Sequence, residues 1–217
     1  MTTPARPIRL YRHPLSGHAH RVELMLSLLG LPFESIDVDL AKGAQREPAF
    51  LAKNPWGQVP VIEDGELTLS DSNAILVYLV TRYDPEGPWL PRDALGAARV
   101  QHWFSIAAGQ LAYGPGALRR AALFRSTLDE VPARALAQQL LTVVEAELAH
   151  KPFLASERAT LADVAMYSYL KRAPEGGVSL ADHPRLRDWL ARVEALPGFV
   201  PMPGTRTHHV ERLERQA

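Results

Sequence analysis

A proline- and glycine-rich stretch divides this chain of 217 residues into two parts with different secondary-structure patterns. The stretch is Asp84-Pro-Glu-Gly-Pro88, and Pro91 follows it closely. Before it, short β-type runs alternate with helical segments, whereas only helical patterns follow it. Because such stretches mark domain boundaries, we predict an α/β domain at residues 1–84, a linker at 85–93 and an all-helical domain at 94–217.

The first part has the element order β-α-β-α-β-β-α. Residues 8–12 and 35–38 have the composition of short strands. Between them, apolar residues from Val22 to Leu29 recur at the spacing i, i+3, i+4 and i+7, which predicts an amphipathic helix. Asp64-Gly65 separates two further β-type runs and predicts a hairpin. An order of this kind predicts a mixed sheet accompanied by helices.

The second part has the pattern of a helical bundle. A helix that ends near Tyr113 is interrupted by Gly114-Pro-Gly116 and then resumes. Thr160 and Asp163 have the spacing of a capping box, ahead of a segment that is apolar on most sides. Such a helix is normally the buried centre of a bundle. One more amphipathic helix follows, and the tail from Gly198 on is proline-rich and then charged.

The composition excludes several classes of function. The chain has 24 basic and 24 acidic side chains, so there is no electrostatic case for nucleic acid or an anionic membrane as a partner. It contains no cysteine, so any thiol chemistry must use an external thiol. The start does not have the pattern of a signal peptide, and no apolar run is long enough to span a membrane. We therefore predict a cytoplasmic protein.

Common catalytic and metal-binding motifs fail on their spacing. His18 and His20 are two residues apart on a predicted helix, so their rings point about 200° apart and cannot share one ion. We expect no metal site, and we expect His18 to be a solvent-exposed residue of the first helical turn. Ser16 lacks the flanking glycines of a serine-hydrolase elbow, and Gly114-x-Gly116 lacks a phosphate-loop lysine.

Three short segments of the first domain have residue types suited to binding a peptide-like thiol. Ser16 precedes the first helix, where it is either a simple N-cap or a hydroxyl facing an anion at the helix N-terminus. Val59 precedes Pro60 and must be extended, which leaves its backbone groups able to pair with a ligand. Asp71 and Ser72 open the third helix and are either caps or donors to a carboxylate.

Together, in this order, these segments resemble the cytosolic glutathione transferase family, in its serine-type, theta- or zeta-like bacterial branch. The resemblance covers nearly the whole chain and rests on four motifs: Leu15-Ser-Gly-His-Ala-His-Arg-Val22, Asn54-Pro-Trp-Gly-Gln-Val-Pro60, Ser70-Asp-Ser-Asn-Ala-Ile75 and Thr160-Leu-Ala-Asp-Val-Ala165. It implies a thioredoxin-like N-terminal domain, an all-helical C-terminal domain, glutathione as cosubstrate, a homodimer and a role in detoxification.

The resemblance also implies site residues. Ser16 would donate a hydrogen bond to the glutathione sulfur and stabilise the thiolate without attacking anything itself. The residues implied for the rest of glutathione are Val59 before a cis Pro60 for the cysteinyl backbone, Asp71 and Ser72 for the γ-glutamyl end, and Gln45 with Gln58 for the region of the glycyl carboxylate.

A second site would bind a small hydrophobic electrophile. The residues that would wall it are Leu15 from the first domain and Trp103, Ala107, Gln110 and Tyr113 from the kinked helix. Core packing is an equally good interpretation of Trp103 and Tyr113. Few ionisable groups are present in this set, which favours an apolar substrate over a charged one.

Two other functions stay open at this stage. The chain can be a glutathione-dependent isomerase of the maleylacetoacetate isomerase type, although that branch has a serine pair where this chain has Leu15-Ser16. It can also be a non-catalytic, transferase-like module for protein association. The intact Ser16, Val59-Pro60 and Asp71-Ser72 argue against the second alternative.

Overall fold

The computed structural model describes residues 2–215, which divide into two compact units. One unit comprises Met1–Leu90 together with Leu196–Pro203, and the other comprises Pro91–Ala195 together with Gly204–Ala217. We refer to them as the sheet unit and the helical unit. The division between Leu90 and Pro91 falls within the linker expected at residues 85–93.

The sheet unit contains a four-stranded mixed sheet. Its strands are β1 (Ile8–Arg12), β2 (Phe33–Asp37), β3 (Val61–Asp64) and β4 (Leu67–Ser70), in the spatial order β2-β1-β3-β4. β1 pairs with β2 in parallel, whereas β3 is antiparallel to both β1 and β4. Ile8 and Leu10 on the central strand β1 are fully buried. The predicted order of elements is confirmed.

Three helices accompany this sheet: α1 (Gly17–Leu28), α2 (Pro48–Leu51) and α3 (Ser72–Tyr83). Val22, Met25 and Leu26 on α1 are fully buried, as their helical spacing predicts. Helix α1 packs against α3. Because β1 and β4 are both antiparallel to β3, they run in the same direction, and the helices that follow them, α1 and α3, begin at the same edge of the sheet.

The helical unit contains seven α-helices among the residues that the structure describes. They are α4 (Ala94–Ala108), α5 (Gln110–Tyr113), α6 (Pro115–Phe124), α7 (Glu130–Glu147), α8 (Leu161–Lys171), α9 (Pro184–Glu194) and α10 (His208–Glu214). Gly109 and Gly114 separate α4, α5 and α6. The capping box predicted at Thr160 and Asp163 is present, and α8 behind it is buried on all sides until its last residue. Between residues 2 and 215, no helix has the length and apolarity that crossing a membrane requires.

Residues near the C-terminus depart from the sequence expectation in two ways. The segment Leu196–Pro203 was expected in the helical domain, but it belongs to the sheet unit. The physical reason is contact with α1: Ser27 Oγ donates to the Gly198 carbonyl at 2.6 Å, and the His20 ring lies 3.0 Å from the Val200 carbonyl. Helix α10 forms in the charged tail, where Thr207 supplies its N-cap.

Candidate functional site

Ser16 is the N-cap of α1, in the loop that follows β1. Its backbone is extended, and its Oγ accepts a hydrogen bond from the Ala19 amide at 3.2 Å. The Ser16 amide donates to the His13 carbonyl at 2.8 Å, which closes the loop. A hydroxyl has one hydrogen and two lone pairs, so a cap that accepts one bond keeps its hydrogen for another partner. The cap function and a ligand contact are therefore compatible at Ser16.

The turn before β3 is held by Asn54, a buried residue to which sequence reasoning assigned no function. Its Nδ2 donates to the Gln58 carbonyl at 2.8 Å, and its Oδ1 accepts from the Trp56 amide at 3.1 Å. The Val59–Pro60 peptide bond in this turn is cis. The Asn-Pro pair is a signal that could have identified Asn54, because asparagine side chains commonly bond the backbone two residues further on.

The start of α3 combines a strained residue with a buried hydroxyl. Asp71 has φ 71° and ψ 122°, a conformation that residues other than glycine rarely adopt. Its Oδ1 accepts from the Ala74 amide at 2.9 Å, so Asp71 is the N-cap of α3. Ser72 is only 4% exposed, and its Oγ accepts from Arg21 Nη1 at 3.2 Å. The hydroxyl of Ser72 is thus fixed by a hydrogen bond from a buried cation.

These segments converge on a small cavity of about 90 Å³ in the sheet unit. Its lining residues are His18, Asn54, Gln58, Val59, Pro60, Asp71 and Ser72. Five of them are predicted glutathione-site residues, and these come from two separate segments of the chain, 58–60 and 71–72. Complete pockets for small ligands typically have volumes of about 300–1,000 Å³, so this cavity can enclose only one end of a tripeptide. Ser16 and Gln45 are not among its lining residues.

The environment of His18 differs from the predicted one, which was a solvent-exposed position in the first helical turn. It is partly buried, and its Nδ1 lies 3.0 Å from Arg21 Nη1 and 3.4 Å from Ser72 Oγ. His20 has another partner, the Val200 carbonyl. Across the described part of the chain, no group of three or more His, Cys, Asp or Glu side chains is placed to hold a metal ion. His18 is therefore a residue of the cavity wall, which the sequence pattern did not reveal.

Gln45 lies beside the turn that carries Gln58. A Cβ atom placed on Gly57 would be 3.0 Å from the Gln45 carbonyl oxygen, and Gly57 has a positive φ of 59°. Glycine at position 57 therefore permits this close approach. The side-chain Oε1 of Gln45 is buried without a hydrogen-bond partner in the described structure. A buried amide oxygen of this kind is costly unless a ligand or water satisfies it.

The residues predicted for the electrophile site have different environments. In the helical unit, Trp103 is 3% exposed and its Nε1 donates to the Leu154 carbonyl at 3.0 Å, while Ala107 is fully buried. Gln110 is exposed, and Tyr113 is 65% exposed. Leu15, in the sheet unit, is partly buried. Trp103 is thus well accounted for by core packing, the alternative left open above, and the electrophile site stays a prediction.

A second groove of the sheet unit is a separate feature, with a volume of about 590 Å³. It is lined mainly by charged side chains near the start of β1 and the β3–β4 turn, among them Arg9, Glu63 and Glu66. It shares no residue with the small cavity. The smaller cavity contains the convergent polar groups and helix N-termini suited to an anionic ligand, so we take it as the candidate site.

The chain matches two family models, one in each unit. Residues 6–81 match the glutathione S-transferase N-terminal domain, and residues 127–197 match the C-terminal domain of the same family. It is also 35% identical to glutathione S-transferase 3 of Zea mays, over 91% of this chain and 96% of that protein. The chain belongs to the glutathione S-transferase family.

Other members of the family agree with this assignment. Glutathione S-transferase theta-1 of Mus musculus is 32% identical over 88% of this chain and 84% of its own length. The crystal structure of glutathione S-transferase from Pseudomonas fluorescens superposes with a TM-score of 0.85 at 32% identity, covering 91% of this chain and 99% of that one. The predicted family, the thioredoxin-like and helical domains, and the assignment as a glutathione transferase enzyme are confirmed. The functions of individual site residues stay predictions.

Proposed function

We propose that this glutathione transferase activates glutathione as a thiolate at the N-terminus of α1 and transfers it to a small hydrophobic electrophile. The observation that carries this proposal is the position of Ser16. It caps α1 through an acceptor lone pair, so its hydroxyl hydrogen can be directed at a ligand anion. The amides of the first helical turn lie at the positive end of the helix dipole and favour the same anion.

Only a modest free energy is needed to make the bound thiol ionise at neutral pH. A free thiol has a pKa of about 8.5 and is mostly protonated at neutral pH, while the thiolate is the nucleophile. Each unit by which the pKa falls corresponds to about 1.4 kcal/mol in favour of the anion. A hydrogen bond from Ser16, with the helix dipole behind it, can supply about one to two units. The thiol proton passes to solvent. The sulfur then forms a bond to carbon, either by substitution, as a leaving group departs with its electron pair, or by addition to an electron-poor double bond, whose electron pair takes up a proton.

The cavity would bind the remainder of glutathione. Val59 would pair its backbone with the cysteinyl residue, Asp71 and Ser72 would bind the γ-glutamyl end, and Gln45 with Gln58 would contact the glycyl end. Support comes from the cavity itself, which brings together Val59, Asp71 and Ser72. The buried, unsatisfied Oε1 of Gln45 is a further group that a ligand can satisfy.

The electrophile site and the oligomeric state are two further proposals. We propose a separate site for the electrophile, for which Gln110 and Tyr113 are the exposed members of the predicted set in the helical unit. We also propose a cytoplasmic homodimer that needs no metal, as is typical of the family. Light scattering of the purified protein measures the assembly directly, and a monomeric mass would reject the dimer.

The first experiment is a calorimetric titration of the purified protein with reduced glutathione, repeated on Ser16→Ala. We expect micromolar to low millimolar binding by the wild type. Ultraviolet absorbance of the bound thiolate against pH should give a higher thiol pKa in Ser16→Ala than in the wild type. Ser179→Ala is the matched control, because the hydroxyl of this exposed serine of the helical unit, like that of Ser16, accepts a hydrogen bond from a nearby backbone amide.

An identical thiol pKa in the wild type and Ser16→Ala would reject the function assigned to Ser16. Turnover of 1-chloro-2,4-dinitrobenzene tests conjugation, and turnover of a cis-alkene keto acid tests the isomerase alternative. Absence of glutathione binding would leave the non-catalytic module as the remaining interpretation.

Ser72→Ala separates binding from activation. It removes a contact to the γ-glutamyl end and leaves the sulfur environment unchanged, so the dissociation constant should rise by about tenfold while the pKa of the bound thiol stays the same. Calorimetry and thiolate absorbance measure the two quantities independently. Equal affinity in the wild type and Ser72→Ala would exclude this contact.

A further inference from the structure

A buried guanidinium lies behind the wall of the candidate cavity. Arg21 is on α1 and is only 1% exposed. Its Nη1 lies 3.0 Å from His18 Nδ1 and 3.2 Å from Ser72 Oγ. Both of these partners line the cavity. Burying a charged group is costly, and Arg21 directs one of its nitrogens at two residues of the cavity wall.

The hydrogens of this group can be assigned from simple chemistry. Arginine only donates, and Nη1 has two hydrogens, one for His18 and one for Ser72. His18 Nδ1 must therefore accept, which places the ring hydrogen on Nε2 in the neutral ring. The single lone pair of Nδ1 is engaged by Arg21, so the more distant Ser72 hydroxyl, 3.4 Å away, must direct its own hydrogen elsewhere.

This assignment gives the cavity wall two defined donors. The Nε2–H group of His18 and the hydroxyl of Ser72 belong to residues that line the same small cavity as Asp71. The guanidinium behind them adds a positive charge at close range, and the N-terminus of α3 adds a partial positive charge. Two donors backed by a buried cation match the geometry and charge of a carboxylate.

We propose that His18 and Arg21 complete the subsite for the γ-glutamyl α-carboxylate of glutathione. His18 donates to the carboxylate through Nε2–H, beside Ser72. Arg21 is a positioning residue that fixes the tautomer of His18 and the hydroxyl direction of Ser72. This inference rests on the proposed function, because it requires that the cavity bind the γ-glutamyl end.

The test compares three thiols on the full-length protein by calorimetry. They are glutathione, 4-aminobutyryl-cysteinyl-glycine, which lacks only the α-carboxylate, and glutaryl-cysteinyl-glycine, which lacks only the amine. We expect His18→Phe to weaken binding of glutathione and of the glutaryl analogue by about tenfold or more, since a hydrogen bond to a charged group is lost. Binding of the 4-aminobutyryl analogue should not change.

Two further variants of histidine serve as controls. His18→Gln keeps a side-chain donor and should recover part of the affinity for glutathione. His150→Phe, at an exposed histidine of the helical unit, should bind all three thiols like the wild type. An equal loss for all three thiols in His18→Phe would show that the side chain only shapes the cavity, and it would overturn the proposal.

The positioning function of Arg21 requires a measurement that substitution of a purely structural residue would not change. Nitrogen-15 NMR of labelled histidine should show His18 in the Nε2–H tautomer in the wild type and in Arg21→Lys, but a mixture of tautomers in Arg21→Met. If Arg21→Met does not fold, the tautomer of His18 in the wild type still tests the proposal. A hydrogen on Nδ1 of His18 would exclude a hydrogen bond from Arg21 to that nitrogen. Failure of the wild type to bind glutathione would overturn the proposed function together with this inference, whereas normal binding by His18→Phe would overturn the inference alone.

Discussion

At the scale of single residues, the hydroxyl of Ser16 has two partners, one observed and one proposed. Its lone pair satisfies the Ala19 amide of α1, and its hydrogen is proposed to stabilise a thiolate. The two functions use different parts of the same group, so they can be separated by substitution. A carboxylate accepts hydrogen bonds as well as serine does at a helix N-terminus but has no hydrogen to donate.

We expect Ser16→Asp to fold as stably as the wild type and to fail in activation. The aspartate keeps the cap, whereas Ser16→Ala should lose about 1 kcal/mol of unfolding free energy. Both variants should raise the pKa of bound glutathione, and aspartate should raise it more because its negative charge opposes the thiolate. Urea unfolding and thiolate absorbance measure the two effects. A wild-type thiol pKa in Ser16→Asp would contradict the donor function.

Glu63 is a second residue whose environment makes a specific prediction. This buried carboxylate contacts Lys53 and Arg9 and accepts from the Tyr11 hydroxyl at 3.1 Å. Burial by itself would raise the pKa of Glu63, but the hydrogen bonds from Lys53 and Tyr11 and the charges of Lys53 and Arg9 outweigh it and hold the pKa below its ordinary value of 4.5. The folded protein therefore favours the ionised form.

The stability that Glu63 contributes should be complete above pH 4.5 and should be lost as the pH falls through the lowered pKa of the folded state. Glu63→Gln should be less stable than the wild type at pH 7 and should lose less stability on acidification, because its side chain does not titrate. Urea unfolding between pH 7 and pH 3 measures this difference. Parallel curves for the wild type and variant would contradict it.

At the scale of elements, α9 begins without a cap from its own sequence. His183 at its N-cap position makes no side-chain capping bond. Glu145 of α7 replaces it, accepting from the amides of Arg185 and Leu186 at 3.1 and 2.9 Å. One carboxylate thus satisfies two amides that a helix N-terminus leaves unpaired, and it joins α7 to α9.

Glu145→Ala should therefore cost about 1–2 kcal/mol of unfolding free energy, as the loss of a helix cap does. Glu147→Ala is the matched control on the same helix. That residue forms an exposed ion pair with Lys151, and such pairs contribute about 0–1 kcal/mol. Denaturant unfolding at neutral pH measures both variants, and equal losses would show that Glu145 does not cap α9.

At the scale of the whole molecule, the chain enters the helical unit, returns to the sheet unit at Leu196–Pro203 and then leaves it again. Gly198 allows this return. Its φ is 84°, and a Cβ atom there would lie 2.7 Å from the Ser27 carbonyl oxygen of α1. Glycine is required both for the backbone conformation and for the close approach.

Gly198→Ala should lower the unfolding free energy by more than Gly65→Ala. Both glycines have positive φ, but a Cβ at Gly65 would meet nothing within 4 Å. Gly65→Ala therefore measures the conformational cost alone, about 1 kcal/mol, and the difference between the two variants measures the contact with α1. Thermal and urea unfolding of the full-length variants provide the comparison. Equal losses would mean that α1 moves away from the substituted segment at no cost.

Much of the fold and part of the candidate site follow from sequence. The order of strands and helices, the Ser16 cap and the Thr160 capping box are confirmed, because periodicity and capping depend on residues only a few positions apart. The segments predicted to form the glutathione site could also be picked out, since each is short and continuous, and their function stays a prediction. Helix α10 was not predicted, because its seven residues lie in a charged tail without a clear apolar stripe.

Sequence by itself indicated the two-part architecture, the family and the segments in which we predict the glutathione site, since these depend on local pattern and on motif order. Only the tertiary structure revealed that Arg21 lies behind His18 and Ser72, the second of which is 51 residues beyond Arg21 in the chain. It alone placed Leu196–Pro203 in the sheet unit through contacts with α1. Such contacts join residues far apart in sequence, and no local propensity encodes which distant surfaces will pack together.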